Sequence, residues 1–426
     1  VPASENNTEH KQSVYYTATG KNGFDLFYLE SPIKIPVTQN SFPHNETSTK
    51  INNAITKPPY QDSLIEEYNA LSRLTPTAWY PYFLNTENRN EIGINTWGSD
   101  PIRRHSYTLT AAYDTENKWY VGRLDYLYDR WDPTLKFSLS RKAIAYIDIN
   151  GDIERFRNQD TFTLEALWPT FSHDQQWLLH TGIVHQTETD KDIRSNFGIL
   201  ETTNDDLTGV ALSYNSTHIY PISISPNNGR QVKIIAEDYD FLESFHIGQV
   251  FTLDWREFFD LTDQHVISAR GVVGWGTDSP VPFRLGGTRE TSISAQPNSA
   301  AYAATEKIFG QREYPLHGYP KGRSDLLGTH MLLAEVTWLF PLARVERGLM
   351  APPIGLHQIY GKFFYNWGET WNEGFKIPAL RSGAGAELTM DLVLGYWLPV
   401  YLRVGYANGF DEGGEEQTYI ELQALF

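Results

Sequence analysis

The stretch Tyr419–Phe426, with the sequence YIELQALF, alternates between two kinds of side chain. Its even-numbered residues are apolar, and its odd-numbered residues, apart from Leu425, are polar. Because successive side chains of a β-strand point to opposite faces, one face of this strand is apolar and the other is polar. Such a strand, ending in an aromatic residue, is typical of a membrane barrel with lipid outside and water inside.

The same alternation recurs along the chain from Asn90 onward, with turn residues between the segments. One face carries apolar and aromatic side chains, while the other carries charges such as Lys136, Glu165, Glu335 and Glu387. Charged side chains are costly against lipid but are stable in a wet lumen. The sequence therefore predicts an all-β fold, a 16-stranded antiparallel transmembrane β-barrel. The predicted strands lie near 90–98, 106–114, 118–129, 134–141, 161–168, 176–187, 207–217, 230–238, 248–257, 264–276, 281–287, 330–340, 357–367, 383–394, 399–408 and 417–426.

Composition excludes several other classes of protein. A spanning helix needs roughly 18 or more uncharged apolar residues, and the most apolar region, 389–402, is interrupted by Asp391, Gly395 and Pro399. The net charge of −17 argues against a nucleic-acid partner. The chain has no cysteine, so it has neither disulfides nor thiolate metal sites. A soluble β-sandwich or propeller would also alternate, but it would not need so many aromatic residues on one face.

The predicted domains are residues 1–30, 31–89 and 90–426. Residues 14–29, VYYTATGKNGFDLFYL, read as two strands joined by a turn and resemble one blade of a TolB-like β-propeller. The alternative is a plain hairpin, because a single blade cannot bury its faces without neighbours. Residues 31–89 are predicted to be a periplasmic linker with one short helix, and residues 90–426 to be the barrel.

One connection interrupts the regular succession of predicted strands and short turns. Between Gly287 and His330 lie about forty residues with little periodicity, and loops of this length are usually functional or disordered. Glycines at 286, 287 and 318 remove side chains where such a loop would enter a crowded lumen. Short motifs lie in this loop and in the strands around it: Leu316-His317-Gly318-Tyr319 in the loop, Phe283, Gly286 and Gly287 before it, and Phe364, Asn366 and Gly368 after it.

These motifs, in this order and spacing, resemble the outer membrane protein 85 (bacterial surface antigen) superfamily across about residues 76–426. That superfamily includes the barrel-assembly insertase and the two-partner secretion transporters. The resemblance implies a sixteen-stranded barrel in the bacterial outer membrane, with a long extracellular loop folded into the lumen. It further implies that Leu316, His317, Gly318 and Tyr319 form the loop tip, and that Phe283, Gly286, Gly287, Phe364, Asn366 and Gly368 form the wall on which the loop docks.

The chain departs from the superfamily pattern at two positions. The loop arginine of the family is His317 here, and its aspartate partner on the wall is Asn366. Because both charges are replaced together, neither an arginine nor an aspartate is left buried without its partner. We hypothesise that His317 and Asn366 form a neutral hydrogen bond. The alternative is that His317 is a polar lumen residue in contact with water.

The resemblance implies protein insertion or translocation as the function, with a protein client or a periplasmic or surface protein as partner and outer-membrane lipid around the barrel. The exposed backbone edge of a poorly paired strand can template a client strand. We expect this edge at the seam where strand 90–98 meets strand 417–426. The predicted seam residues are Ile92, Ile94, Thr96, Ile420, Leu422, Ala424 and Phe426.

Two other functions remain open from the sequence, namely a passive or substrate-selective pore and a scaffold for a partner protein. A pore would use the long loop as its constriction, and planar-bilayer conductance would distinguish it. An enzyme is not expected, because the chain has no Gly-x-Ser-x-Gly elbow, no His-Glu-x-x-His motif and no glycine-rich phosphate loop. We expect no catalytic residue, no metal site and no cofactor.

Overall fold

A computed structural model describes most of the chain, and most of its described residues lie in β-strands. None of the helices among the described residues is both long and apolar enough to cross a membrane. The described residues are 13–20, 23–30, 68–86, 89–116, 118–147, 153–172, 174–193, 201–220, 222–262, 264–288, 308–372, 374 and 378–424.

The chain divides into two compact units, of which the smaller comprises Val1–Asn69 and Tyr220–Ile222. Its described strands β1 (Ser13–Gly20) and β2 (Gly23–Glu30) form an antiparallel hairpin. The two predicted strands are therefore present and paired, and positions 21 and 22 of the predicted turn lie outside the described residues. The likeness to a propeller blade is not shown by this hairpin and stays a prediction.

The larger unit is a closed antiparallel barrel of sixteen strands within the described part of the chain, as predicted. Three further short strands form a small sheet from the long connection. In chain order the strands are β3 (Ala78–Thr86), β4 (Arg89–Ser99), β5 (His105–Asp114), β6 (Trp119–Tyr128), β7 (Thr134–Ile147), β8 (Ile153–Phe171), β9 (Gln176–Ile193), β10 (Thr202–Asn215), β11 (Gly229–Asp238), β12 (Gln249–Thr262), β13 (His265–Gly276), the short β14 (Phe283–Leu285), β15 (Glu313–Tyr314) and β16 (Leu327–Gly328), then β17 (His330–Leu349), β18 (Ile354–Trp371), β19 (Arg381–Leu394), β20 (Leu398–Gly409) and β21 (Glu416–Ala424).

The two faces of the wall differ as the alternation predicts. On β4, Ile92 and Ile94 are exposed on the outside, whereas Glu91 and Asn95 are buried on the inside. The inside is not simply watery, however. A hydrophobic cluster fills part of the lumen, because apolar residues of the long connection pack there against inward-facing wall residues such as Val272. The long connection therefore occupies part of the lumen at this level.

The two ends of the barrel differ in their connections. β3 begins and β21 ends at the same end, which we call the terminal rim, and the long connection leaves β13 at the opposite end, the loop rim. The turn between β12 and β13 and the turn between β19 and β20 lie at the terminal rim and are short. Short turns are periplasmic in bacterial outer-membrane barrels, and long loops are extracellular.

The membership of the barrel differs from the sequence prediction at two strands. Residues 281–287 were predicted as a wall strand, but only Phe283–Leu285 is a strand there, and it pairs with β15 and β16 instead of the wall. β13 pairs directly with β17. The sixteenth place is taken by β3, so the barrel begins at Ala78 and not at residue 90. Pro81 obscured β3 in the sequence, although proline is tolerated in an edge strand where its missing N–H is not needed.

The predicted seam is therefore wrong. β4 pairs with β3 on one side and with β5 on the other, so Ile92, Ile94 and Thr96 do not face the last strand. The seam lies between β3 and β21. Ile420, Leu422 and Ala424 do lie on the seam strand β21, whereas Phe426 lies outside the described residues.

Candidate functional site

The loop tip Leu316–Tyr319 is buried inside the barrel, with Leu316, His317 and Tyr319 fully shielded from solvent. Gly318 has φ +87°, a left-handed conformation that favours glycine. A Cβ atom built on Gly318 would lie 2.3 Å from the backbone nitrogen of Gly409 on β20. The tip backbone therefore touches the wall, and both the conformation and the contact require glycine.

Polar groups on the last strands hold the tip. The backbone N–H of Gly318 donates to Gln417 Oε1 at 3.1 Å. The Tyr319 hydroxyl donates to the Ser382 carbonyl oxygen at 3.0 Å and accepts from the Asp411 backbone N–H at 3.2 Å. Burial raises the pKa of Tyr319, so the hydroxyl stays a donor. The tip is thus fixed to β19, β21 and the loop between β20 and β21.

Glycines on the wall make room for the tip, and sequence reasoning missed them. A Cβ atom at Gly383 on β19 would lie 2.4 Å from the His317 carbonyl oxygen. A Cβ atom at Gly409 would lie 2.4 Å from the Gly318 carbonyl oxygen. Glycine inside a strand commonly marks a close approach of another backbone. The glycine-rich runs of β19 and β20 were therefore a readable signal.

The residues predicted as a docking wall fall into two groups. Phe364, Asn366 and Gly368 lie on the wall strand β18, while Phe283, Gly286 and Gly287 belong to the small sheet inside the lumen. The Gly287 backbone N–H donates to the Tyr319 carbonyl oxygen at 2.7 Å, so this second group supports the tip from within. A Cβ atom at Gly368 would lie 3.1 Å from Leu285 and Leu316, so the loop side chains pack tightly on β18.

His317 lies between one amide, one ring and two carboxylates. Its Nδ1 atom is 3.4 Å from Asn366 Nδ2, a distance at which the amide donates to an unprotonated ring nitrogen. Its ring lies 4.3 Å from the Phe364 ring. Its Nδ1 and Nε2 atoms lie 3.7 Å from Glu335 and 3.9 Å from Glu387, respectively. Full burial contradicts the alternative in which His317 touches water.

Cations on the wall neutralise Glu387 and its neighbour Glu421. Lys362 Nζ lies 3.1 Å from Glu387, and Arg403 lies 3.7 Å from Glu387 and 3.3 Å from Glu421. A buried carboxylate is strongly unfavourable without such partners. Among the described residues, no group of three or more histidine, aspartate or glutamate side chains is placed to hold a metal ion. These charged wall residues therefore form the electrostatic environment in which the loop tip docks.

A second anchor, also missed from the sequence, holds the start of the described loop. Arg312 is buried and pairs with Glu237 on β11 at 2.7 Å. Its Nη2 atom donates to the Tyr239 hydroxyl at 3.0 Å, and its guanidinium lies 5.3 Å from the centre of the Phe283 ring. Burial alone lowers the pKa of Arg312, but the Glu237 carboxylate outweighs it, so the pKa is raised and the guanidinium stays charged.

The balance of charge around His317 gives a testable prediction. Asn366→Asp places a third carboxylate beside Glu335 and Glu387, so we expect a loss of about 3 kcal/mol or more in unfolding free energy. His317→Arg/Asn366→Asp restores one positive and one negative charge, and we expect it to recover most of that loss. Denaturant unfolding of both variants measures the effect. Additive losses in the double variant would contradict a direct contact between the two residues.

The seam between β3 and β21 has the fewest pairs of any barrel junction within the described residues. Among the described residues, only Gln423 and Leu84 are paired across it. The neighbouring junction of β20 with β21 has nine paired positions. The loop tip lies close by, because Gln417 on β21 holds Gly318.

No protein-family profile matches this sequence, and no curated protein matches it. Several solved structures share its fold. A BamA from Haemophilus ducreyi lacking POTRA domains 1–3 has a TM-score of 0.55 at 11% identity, over 97% of this chain and 75% of that one. CdiB from Escherichia coli has a TM-score of 0.54 at 10% identity, over 82% of this chain and 62% of that one. CdiB from Acinetobacter baumannii has a TM-score of 0.51 at 11% identity, over 81% and 59%.

The chain thus spans about three quarters of the BamA chain and about three fifths of each CdiB chain. BamA and CdiB are barrels of the outer membrane protein 85 superfamily. At these identities the likeness shows the fold alone, an all-β barrel of sixteen antiparallel strands of the BamA and CdiB type.

Proposed function

We propose that this chain is a bacterial outer-membrane barrel that inserts or translocates protein clients through the seam between β3 and β21. The fold likeness to BamA and CdiB supports this class of function. The observation that carries the proposal is the seam itself, where a single described residue pair, Gln423 with Leu84, closes the cylinder.

The energies of the two neighbouring junctions favour opening at the seam. A backbone hydrogen bond contributes about 0.5–1.5 kcal/mol net to stability. Opening the seam breaks one described pair, whereas opening the β20–β21 junction breaks nine. Counted over the described residues, the seam is therefore the junction with the fewer pairs to break. Once open, β21 presents a free backbone edge with Ile420 and Leu422 exposed on its outer face.

An extended client segment can add to that edge as a new strand. Main-chain hydrogen bonds supply affinity in this kind of strand addition, so clients of different sequence can bind. The apolar outer face of β21 suits a client whose own alternate side chains enter lipid. Strand addition at the seam accounts for insertion of barrel proteins.

The partly filled lumen does not favour a passive pore as the function. The loop tip, the small sheet of β14, β15 and β16, and the apolar cluster around Phe283 and Leu316 occupy the interior where a pore would conduct. We therefore expect low and rare conductance from the wild-type barrel in a planar bilayer.

Folding of a model client tests the proposal. A urea-unfolded eight-stranded outer-membrane barrel is added to vesicles that contain the reconstituted protein, and its folding is followed by the mobility shift of folded barrels in unheated gels. We expect folding at least about tenfold faster than into protein-free vesicles, which corresponds to roughly 1.4 kcal/mol of barrier. Equal folding rates in both kinds of vesicle would contradict insertion activity.

A further inference from the structure

An apolar cleft opens on the outer face of the barrel near the terminal rim, beside the turn between β6 and β7. Its volume is about 320 Å³. The cleft continues the outer band of the wall, since Leu139 and Leu164 nearby are exposed apolar side chains. Its lining side chains include Tyr126, Tyr128, Trp131, Phe137 and Leu164.

Two turns bring three arginines to the mouth of this cleft. Arg103 and Arg104 lie in the turn between β4 and β5, and Arg130 lies in the turn between β6 and β7. The turns touch, because the Asp129 backbone N–H donates to the Arg104 carbonyl oxygen at 2.8 Å. All three arginines are exposed. Within the described residues, none of their guanidinium groups has a carboxylate oxygen within 4.0 Å.

Aromatic rings join the arginines to the cleft. His105 directly follows Arg104, and its Nδ1 atom lies 2.5 Å from the Tyr126 hydroxyl oxygen. The His105 ring lies 4.9 Å from the Tyr128 ring, which in turn lies 5.2 Å from the ring of Trp131. The cationic mouth and the apolar cleft therefore form one continuous surface.

Acidic residues also lie in these turns, but two of them are engaged locally. Asp100 is buried, and its Oδ1 atom accepts from the His105 backbone N–H at 2.7 Å. The Asp129 carboxylate accepts from the Thr134 hydroxyl. Asp132 is the third carboxylate of the two turns and is exposed. The three arginines and three aspartates of these turns cancel in formal charge, whereas the whole chain carries a net charge of −17.

We infer that this corner binds a glycerophospholipid, with an acyl chain in the cleft and the phosphate against Arg103, Arg104 and Arg130. Guanidinium groups bind phosphate through paired, charge-assisted hydrogen bonds. Tyrosine and tryptophan are the side chains that prefer the boundary between acyl chains and headgroups. The inference rests on the proposed membrane location. It adds a lipid site that is separate from the seam and from the lumen loop.

Lipid binding to the purified barrel tests the inference. The detergent-solubilised protein is titrated with dimyristoyl phosphatidylglycerol, and bound lipids are counted by native mass spectrometry. We expect Arg103→Gln/Arg104→Gln/Arg130→Gln to weaken retention of the lipid roughly tenfold, since charge-assisted bonds to phosphate have the strength that such a factor requires. Leu164→Trp fills the cleft, and we expect a similar loss.

Matched variants control for charge and for bulk. Arg344→Gln/Arg347→Gln removes two arginines elsewhere on the terminal rim, and Ile234→Trp adds the same ring on the outer face of β11, where Ile234 is 53% exposed. Both controls are expected to retain the lipid. The mobility shift of folded barrels in unheated gels confirms that each variant is folded.

Three outcomes have distinct meanings. Wild-type retention by either test variant would overturn the lipid site. Inorganic phosphate that competes with the lipid on the wild type, together with full retention of the lipid by Leu164→Trp, would show an anion site without an acyl chain, which also overturns it. A wild-type barrel that fails to float with vesicles would instead contradict the proposed membrane location, and the lipid site with it.

Discussion

Leu84→Cys/Gln423→Cys is expected to abolish client folding when oxidised and to restore it on reduction. The two residues are partners across the seam, and partners in an antiparallel ladder have Cα atoms about 4.5–5.5 Å apart, within the range that a disulfide needs. The chain has no cysteine of its own, so the engineered pair is the only bridge that can form. A covalent bridge removes the free edge of β21. The rate of client folding in proteoliposomes should therefore fall to that of protein-free vesicles.

Tyr401→Cys/Gln423→Cys is the matched control. It uses the same position on β21 but joins it to β20, where Tyr401 and Gln423 are already partners in a long ladder. This bridge leaves the seam free, so client folding should stay within about twofold of the wild-type rate, since the opening that it blocks is the costly one. Full activity of the oxidised seam variant would show that clients do not enter between β3 and β21.

Gly318→Ala is expected to release the loop tip and open the lumen. The left-handed backbone at Gly318 costs an alanine about 1–2 kcal/mol, and the clash with Gly409 adds about 1–3 kcal/mol. Because both effects destabilise only the docked state of the loop, the loop tip should lose its contact with β20. In a planar bilayer we expect frequent, larger openings than in the wild type, together with a lower unfolding free energy.

Gly374→Ala separates the two costs. Gly374 also has a left-handed backbone, with φ +75°, but among the described residues no atom lies within 4 Å of the Cβ position there. This variant should carry the backbone strain without the clash, and its conductance should match the wild type. Identical conductance from Gly318→Ala and Gly374→Ala would show that contact with Gly409 does not hold the loop.

The alternation of side chains predicted the class of fold because it reports on one strand at a time. Ile92 and Ile94 face outward and Glu91 faces inward whichever strands lie beside them. Pairing between strands is different, because it depends on partners far away in the sequence. The segment at Phe283 alternates like a wall strand, yet it pairs with β15 and β16 and not with the wall.

The candidate site was predictable to the same extent: its local motifs could be found in the sequence, and its contacts between distant residues could not. The motifs at Leu316–Tyr319 and at Phe364–Gly368 were found through resemblance, and the structure brings them together around His317 and Asn366. The Arg312–Glu237 pair and the contact of Gln417 with Gly318 were not found. Each joins a loop residue to a distant strand, and no local pattern marks such a pair. β3 was missed because its aromatic run and Pro81 hide the alternation.

Photocrosslinking from position 79 shows whether a client enters the barrel wall at the seam. Trp79 lies on the seam strand β3 and is 55% exposed, while Ile234 lies on β11, far from the seam, and is 53% exposed. A photoreactive residue is placed at either position in proteoliposomes, and the unfolded eight-stranded barrel is added before illumination. We expect capture of the client at position 79 and not at 234, and we expect the oxidised seam variant to lose this capture. Equal capture at both positions, or capture that survives the locked seam, would contradict it.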